Sequence, residues 1–213
     1  MLCRSLAALL LLIALFSCPA LASDAPPEPP RAMLTFDDGP SGAVTEQLLA
    51  LLKDEQVPAA FFLCGYQVRR HPELVRQIAE AGHCVGSHTD SHAYLIHCSP
   101  EEIRRELTRS VADLTEITGT HVRYFRPPGG LCNDAVRQAL QEAGLQSVLW
   151  DVDPEDWRGG SAEQIAASVL RQAHGDCIIL LHDLHPQTVQ AAKIIIRTLR
   201  TRGYVFVLPD GSS

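Results

Sequence analysis

The stretch AMLTFDDGPSGAVTEQLLALLKDEQVPAAFFL, residues 32–63, decides the fold class of this 213-residue chain. It holds two short apolar runs, at 32–36 and 59–63, joined by a segment whose apolar residues recur at helical spacing. The alternation continues along the chain, with further apolar runs at 84–87, 122–125, 147–152, 177–181 and 204–208. Seven apolar strands alternating with helices predict an α/β fold with a parallel sheet covered by helices. A barrel and an open doubly wound sheet both fit this pattern.

Capping residues and glycines mark the ends of the predicted helices. Ser99 and Glu102 form a capping-box pattern at the start of one helix, and Ser161 with Gln164 repeats it. Asn133 is suited to cap a third helix. Three helices are predicted to end in a left-handed turn at a glycine just before the next strand, namely Gly82, Gly144 and Gly203.

The first 22 residues have the pattern of a cleaved secretory signal: Arg4, the apolar run 6–16, and the small-residue end Ala20-Leu21-Ala22. The run is too short to span a membrane core. Lipid attachment at Cys18 is the weaker alternative. Residues 23–31 are a proline-rich leader, and residues 32–213 form a single predicted domain. The protein is therefore expected to be secreted or periplasmic, with no stable membrane insertion after cleavage.

Charge and cysteine content narrow the possible partners. The formal net charge is −7 without a basic cluster, which disfavours nucleic acid and anionic membranes. The absence of a CxxC pair disfavours a cysteine zinc site. One or two disulfides are possible among the five cysteines beyond the signal, of which at least one must stay unpaired; the five are Cys64, Cys84, Cys98, Cys132 and Cys177.

Polar residues cluster where the predicted strands end. Asp37 and Asp38 follow the first strand, and His88 and His92 follow the third. The residues that follow the fourth, fifth and sixth strands are Arg126, Asp153, Asp156, His182 and Asp183. In a parallel α/β fold these strand ends meet on one face, where active sites are built. The sequence therefore predicts one site assembled from five strand ends.

Asp38, His88 and His92 have the chemistry of a metal site. Two imidazoles four residues apart can aim at one point, and a carboxylate adds a third ligand. Three protein ligands leave a coordination position for water, which is the pattern of catalytic zinc. An isolated HxxxH pattern is more often a pair of surface histidines, but the strand-end position of Asp38 favours metal binding.

Four other residues are suited to acid–base chemistry around that metal. Consecutive residues point in different directions, so Asp37 can take a proton from metal-bound water while Asp38 holds the metal; helix capping is the alternative role for this pair. His182 can protonate a leaving amine, although alone it would be interpreted as a core histidine. Asp156 can hold the other ring nitrogen of His182, and Arg126 can orient a buried carboxylate.

Five motifs in chain order resemble those of the polysaccharide deacetylases, the NodB-homology domains of carbohydrate esterase family four. They are TFDDGP at 35–40, SHTDSH at 87–92, RPPGG at 126–130, DPEDW at 153–157 and LLHD at 180–183. The resemblance runs from residue 31 to residue 208. It implies a deformed (β/α) barrel with about seven parallel strands.

The resemblance also implies a function. A family member would remove N-acetyl groups from a polysaccharide or oligosaccharide such as peptidoglycan or chitin, by attack of metal-bound water. Asp38, His88 and His92 would bind a divalent metal, usually zinc, with cobalt or nickel as alternatives. Asp37 would be the general base, oriented by Arg126. The general acid and its orienting carboxylate would be His182 and Asp156.

The same resemblance implies three substrate-binding residues. Leu180 would help form the pocket for the acetyl methyl group, with Trp157 packed beside it. The backbone N–H of Gly129 would bind the oxyanion. The third motif of the family commonly carries an aromatic residue, often Tyr, where this chain has Gly129. We therefore expect slower turnover or a more open sugar groove.

Three alternatives stay open at this point. An O-acetyl esterase acting on acetylated xylan-like polymers would use the same residues. A non-catalytic, metal-bearing carbohydrate-binding protein and an exported scaffold with idle histidines are the others. The motifs do not identify the substrate, which could also be a small acetylated compound, or the oligomeric state.

Overall fold

The computed structural model describes residues 28–210 and residue 212. The predicted signal of residues 1–22, with Cys18, lies outside these residues, as does the leader up to residue 27. Along the described stretch, no helix combines the length and the apolar character needed to cross a membrane.

Among the residues that the structure describes, seven parallel strands form one sheet at the centre of the molecule. Their order is β5-β4-β3-β2-β1-β6, and β7 pairs with the start of β1. The strands are β1 (Arg31–Asp37), β2 (Ala59–Leu63), β3 (Cys84–Ser87), β4 (Tyr124–Phe125), β5 (Gln146–Ser147), β6 (Cys177–His182) and β7 (Val205–Phe206). The predicted parallel α/β sheet is confirmed.

The sheet curls into a deformed (β/α) barrel, which a short irregular segment after β5 closes. Val152 makes an isolated parallel bridge with Ile179 of β6. The N–H of Leu180 donates to the carbonyl of Val152 at 2.9 Å. This contact joins the β5 side of the sheet to β6, so the fold is the barrel and not the open sheet.

Three predicted strands are longer in the sequence analysis than in the structure. The predicted runs 122–125 and 204–208 contain only the two-residue strands β4 and β7, and the predicted run 147–152 overlaps the two-residue strand β5 only at Ser147. After β5 the carbonyls of Val148 and Leu149 accept from the Arg126 guanidinium, at 2.9 and 3.0 Å. These carbonyls bond to a side chain instead of a strand, which explains why β5 ends at Ser147.

Within the described part of the chain, seven α-helices cover the sheet, and the helix ends predicted from capping residues and glycines are confirmed. They are α1 (Ala43–Glu55), α2 (Gly65–Val68), α3 (Pro72–Glu80), α4 (Pro100–Thr118), α5 (Asp134–Glu142), α6 (Ala162–Gln172) and α7 (Pro186–Thr201). Ser99 and Ser161 form capping boxes, and Asn133 accepts from the N–H of Val136. The glycines after α3, α5 and α7 have positive φ, as left-handed turns require.

Buried side chains of the strands and helices form the core that fixes the strand ends. Phe36 and Phe61 stack in the sheet with ring centroids 5.3 Å apart. Helices α1, α6 and α7 pack Leu48, Val169 and Ile195 against this core, all fully buried. Each such side chain stabilises the fold by about 1.5–3 kcal/mol. The rim of the barrel, where the strands end, therefore stands on a rigid base.

All five cysteines of the described residues are free thiols. Cys64, which follows β2, and Cys177, which begins β6, are both buried, and burial raises the pKa of the Cys177 thiol to about 11. The one or two disulfides considered from the sequence are not formed among these residues, so the fold depends on its apolar core.

Candidate active site

The predicted site residues meet at the carboxyl end of the barrel. A cavity of about 470 Å³ opens there, between the loops that follow β1, β3, β4, β5 and β6. It is lined by Asp37, Asp38, His88, His92, Tyr94, Gly129, Trp150, Asp153, Trp157, Leu180, His182 and Leu184. Arg126 and Asp156 are buried and contact residues that line the cavity. All ten residues proposed from the sequence thus belong to one place.

Asp38, His88 and His92 converge on one point. Their ligand atoms lie within 4.8 Å of one another. The Asp38 Oδ1 atom is 3.4 Å from His88 Nε2 and 3.3 Å from His92 Nε2. Ligand atoms of a tetrahedral zinc ion, bound at about 2.0–2.2 Å, lie about 3.3–3.6 Å apart. These separations therefore fit zinc.

The surroundings of Asp38 and His88 also fit a metal. Asp38 Oδ1 is buried and has no hydrogen-bond partner among the described residues, which would be costly without a cation. Burial lowers the pKa of His88 to about 3, so its imidazole is neutral. Its Nδ1 lies 2.7 Å from the Arg126 carbonyl, which can only accept, so the proton is on Nδ1. The Nε2 lone pair is then free for a metal.

A buried carboxylate holds the loop that carries both histidines. Glu106 of α4 accepts from the N–H of Asp90 at 3.0 Å and from the N–H of Ser91 at 2.8 Å. It also accepts from the Ser91 hydroxyl at 2.9 Å. The loop needs such support because Thr89 and His92 both have left-handed φ, 66° and 61°. Glu106 was missed in the sequence analysis.

We expect Glu106→Leu to weaken zinc binding about 10- to 100-fold, as the loss of a supporting residue does in other metal sites. Leucine leaves two loop N–H groups without an acceptor and frees the loop from its fixed turn. Zinc titration monitored by calorimetry would measure the effect. Glu106→Gln is the matched control, because its amide oxygen can still accept from both N–H groups. An equal loss in both variants would mean that the charge of Glu106, and not its hydrogen bonding, is what matters.

Asp37 lies beside the trio in a buried ion pair. Its Oδ1 accepts from Arg126 Nη1 at 2.8 Å, and its Oδ2 is 3.8 Å from His88 Nε2. Burial raises the pKa of Asp37 above its ordinary value, against the opposing charge of Arg126. Arg126 is fully buried, donates also to the Thr35 hydroxyl at 2.7 Å, and lies over the Phe62 ring at 4.2 Å. Asp37 is thus fixed in direction by a rigid partner.

Asp156 fixes the orientation of the His182 imidazole through a hydrogen bond. Its Nδ1 lies 2.8 Å from Asp156 Oδ1, so Nδ1 carries the proton and Nε2 is left for the cavity. Asp156 Oδ2 accepts from the His182 N–H at 2.9 Å and from the Thr188 hydroxyl at 2.8 Å. Burial lowers the pKa of His182, but the hydrogen bond and charge of Asp156 outweigh it, and the net shift is upward.

Asp183 has a different position from its neighbour His182. Its side chain is fully buried and accepts from the Thr45 hydroxyl at 2.5 Å, next to Gly39. A Cβ atom at Gly39 would lie 2.2 Å from Asp183 Oδ2, so only glycine fits there. Burial raises the pKa of Asp183 to about 6. This strand-end carboxylate holds the loop after β1 and does not line the cavity.

The three residues proposed for substrate binding lie on the cavity wall. Leu180 is buried at its base, whereas Trp157 is 48% exposed at its rim. Gly129 has φ of 64°, a left-handed conformation that favours glycine. The space beside Gly129 is not open, because a Cβ atom there would lie 2.8 Å from the Tyr94 ring. The Tyr94 ring therefore lies on the side of the groove that was expected to be open at Gly129.

Comparison with known proteins finds one matching family model and several similar proteins. The polysaccharide deacetylase family model matches residues 24–148. A peptidoglycan-N-acetylglucosamine deacetylase of Bacillus cereus is 40% identical over 179 residues, covering 82% of this chain and 84% of that protein. A chitooligosaccharide deacetylase of Rhizobium leguminosarum bv. trifolii is 36% identical over 189 residues, covering 80% and 86%. Some relatives are longer: the chain spans 38% of a peptidoglycan-N-acetylglucosamine deacetylase of Listeria monocytogenes, to which it is 37% identical over 180 residues.

Solved structures share the fold, and not all of them are active enzymes. The structure of a CE4 family pseudoenzyme from Bacillus anthracis has a TM-score of 0.82 and 27% identity, covering 86% of this chain and 65% of that one. Likeness of fold alone therefore does not establish turnover, which depends on the residues of the cavity. The match over residues 24–148 and the 40% identity to a deacetylase do establish the family. This chain belongs to the polysaccharide deacetylase family.

Proposed function

We propose that this protein is a metal-dependent hydrolase that removes N-acetyl groups from an acetylated amino-sugar polymer or oligomer. The observation that carries the proposal is the arrangement of the cavity. A three-ligand metal site lies between a buried carboxylate, Asp37, and an imidazole, His182, and each of these has its own buried partner. Amide hydrolysis needs a base for water and an acid for the leaving amine.

Asp38, His88 and His92 are the residues that would hold the metal. Two imidazoles and one carboxylate suit zinc, and cobalt or nickel would fit the same donors. The chemistry that zinc supplies when bound is to acidify water and to polarise a carbonyl oxygen. The identity of the metal is part of the proposal.

Asp37 is the proposed general base. Its raised pKa makes its carboxylate a better proton acceptor than an exposed aspartate. Arg126 fixes the direction of the carboxylate through Oδ1, which leaves Oδ2 for the proton of the attacking water. The water oxygen then bonds to the acetyl carbon, and the N–H of Gly129 is the proposed donor to the oxyanion.

His182 is the proposed general acid. Its Nε2 gives a proton to the amine nitrogen as the carbon–nitrogen bond breaks, and acetate and a free amino sugar are the products. Asp156 keeps the tautomer correct through Nδ1 and stabilises the charged imidazole. Leu180 and Trp157 would contact the acetyl methyl group and the sugar.

The substrate class follows from the relatives and from the predicted export. Relatives that cover most of this chain act on peptidoglycan or on chitooligosaccharides, as their names state. Both are polymers or oligomers of N-acetylated sugars, and peptidoglycan lies outside the cytoplasmic membrane. We propose that residues 1–22 direct secretion to that space and that residues 32–213 form the catalytic domain.

Acetate release tests this function. Purified protein would be incubated with an N-acetylglucosamine tetramer, with peptidoglycan and with acetylated xylan, after chelation and after return of zinc, cobalt or nickel. We expect acetate from the first two substrates, loss of release on chelation, and recovery with metal. Release from acetylated xylan alone would identify an O-acetyl esterase instead. Metal binding without release from any substrate would indicate a non-catalytic protein and overturn the proposal.

The charge of Asp156 is expected to set the alkaline limit of activity. His182 must be protonated to act, so the rate falls as pH rises through its pKa, which Asp156 raises. In Asp156→Asn the amide oxygen still accepts from Nδ1, but the charge is gone. The alkaline limb of kcat should therefore move to lower pH by about 1 unit or more. Asp153→Asn removes a carboxylate of the same cavity that does not touch His182, and should leave this limb in place.

A further inference from the structure

We infer that Tyr94 is a specificity-determining residue that stacks on the acetylated sugar unit, in space left free by Gly129. The inference rests on the proposed function for the nature of the ligand. Tyr94 lies two residues after His92 in the loop that follows β3, and it lines the cavity with Gly129 and His92. It is outside the five motifs that define the resemblance.

The position of the Tyr94 ring puts it next to the reacting group. Its centroid lies 6.0 Å from that of the His92 imidazole, at a right angle. The Tyr94 Cε1 atom would also be 2.8 Å from a Cβ atom at Gly129. A sugar whose acetyl group reaches His92 and the N–H of Gly129 must therefore pass this ring.

The ring is exposed although its backbone is fixed. Tyr94 is 47% exposed, whereas the next residue, Leu95, is 1% exposed and packs in the core under α4 and α5. The Tyr94 carbonyl accepts from the N–H of His97 at 3.0 Å, which starts a short 3-10 helix at Leu95–His97. An aromatic face presented to a polar cavity on a rigid support suits the apolar face of a pyranose ring, with the phenol hydroxyl at the wet edge.

Tyr94 and Gly129 exclude one another. Any side chain at position 129 would push the ring aside, and the positive φ of Gly129 adds strain of its own. The two positions should therefore be coupled: the absence of a side chain at 129 lets Tyr94 form the wall. The sequence predicted a more open groove at Gly129. In the structure, Tyr94 of the loop after β3 forms the groove wall at that point.

The first test measures ligand binding apart from turnover. Binding of the N-acetylglucosamine tetramer to the zinc-loaded protein would be measured by calorimetry with Tyr94 as in wild type, with Tyr94→Ala and with Tyr94→Phe, each in a protein that also carries Asp37→Asn so that the ligand is not hydrolysed. We expect Tyr94→Ala to weaken tetramer binding about three- to tenfold, the range for a lost aromatic contact, and Tyr94→Phe to bind as wild type. The zinc Kd and the thermal midpoint should stay unchanged. Unchanged tetramer binding in Tyr94→Ala, or an equal loss of zinc binding, would overturn the inference.

The second test measures the coupling. Gly129→Ala should weaken tetramer binding in the wild type, but add little to the loss already present in Tyr94→Ala. Gly144→Ala is the matched control: Gly144 has φ of 66°, and a Cβ atom added there would meet no described atom within 4 Å beyond its chain neighbours, so the variant carries the backbone strain without the contact. Fully additive losses in the double variant would contradict the coupling.

These outcomes separate the inference from the proposed function. Wild-type protein that binds the tetramer but releases no acetate would refute the proposed function and leave the role of Tyr94 intact. A Tyr94→Ala variant that binds and deacetylates as wild type would refute the role of Tyr94 alone.

Discussion

Asp37→Asn is expected to lower kcat/KM for acetate release by about 10²- to 10⁴-fold, the usual contribution of a positioned general base. Asparagine keeps the shape of the side chain and can still accept from Arg126 through its amide oxygen. It cannot take a proton from water. Because Asp37 is not one of the three proposed ligands, bound zinc should stay close to one ion per chain, as measured by metal analysis.

Asp134→Asn is the matched control for this loss. The Asp134→Asn variant has the same chemical change on helix α5, where the Asp134 side chain is 97% exposed. The activity of this variant should equal that of the wild type. A variant of Asp37 that keeps full activity would exclude Asp37 as the base. A variant that loses zinc together with activity would instead place Asp37 among the residues that hold the metal.

Arg126→Met should have the second large effect, a loss of about 3–5 kcal/mol in the free energy of unfolding together with the loss of activity. The guanidinium is fully buried and is the partner of the buried Asp37 carboxylate. It also donates to the carbonyls of Val148 and Leu149 in the segment that closes the barrel. Methionine fills part of the volume but leaves the charge of Asp37 and both carbonyls without a partner. Denaturant unfolding monitored by circular dichroism would measure the loss.

Two variants make this prediction specific. Arg137→Met removes an arginine whose salt bridge with Asp134 is exposed, and should change stability by less than about 1 kcal/mol. Arg126→Lys keeps the charge near Asp37 but lacks the planar fork that reaches both carbonyls, so its stability should fall between wild type and Arg126→Met. Equal stability of Arg126→Met and wild type would contradict the structural role of the ion pair.

The sequence alone predicts the sheet and the site because both depend on local patterns. Buried parallel strands need continuous apolar runs, so β1, β2, β3 and β6 are located within one residue of their observed bounds. The polar residues that follow these runs are brought together by the topology of any parallel barrel. Asp38, His88 and His92 could therefore be placed near one another before any coordinates were considered.

Other features depend on contacts between distant segments. The end of β5 is fixed by the side chain of Arg126, which lies about twenty residues earlier in the chain, and no local pattern records such a bond. Glu106 looks like one of the solvent-facing charges of α4. It lies, however, on the stripe formed by Ile103, Leu107 and Ser110, all of which are buried. A carboxylate on this otherwise buried stripe of α4 is the feature by which Glu106 could be found from the sequence.

The position of Tyr94 beside Gly129 is a further feature of this kind. Tyr94 ends the loop after β3, and Gly129 lies in the loop after β4, so only the folded barrel brings them into contact. The resemblance to the family implied that an aromatic residue was missing at position 129. It could not show which side chain would occupy the space.

The loops of the barrel separate two tasks that the reaction needs together. The proposed metal ligands come from the loops after β1 and β3, whereas His182 and its partner Asp156 come from β6 and the segment before α6. No hydrogen bond among the described residues links the His182–Asp156 pair to the trio. One substitution on β6 could thus abolish turnover while the ion and the sugar remain bound. A single mutation of this kind would convert an enzyme into a protein that binds its former substrate without hydrolysing it.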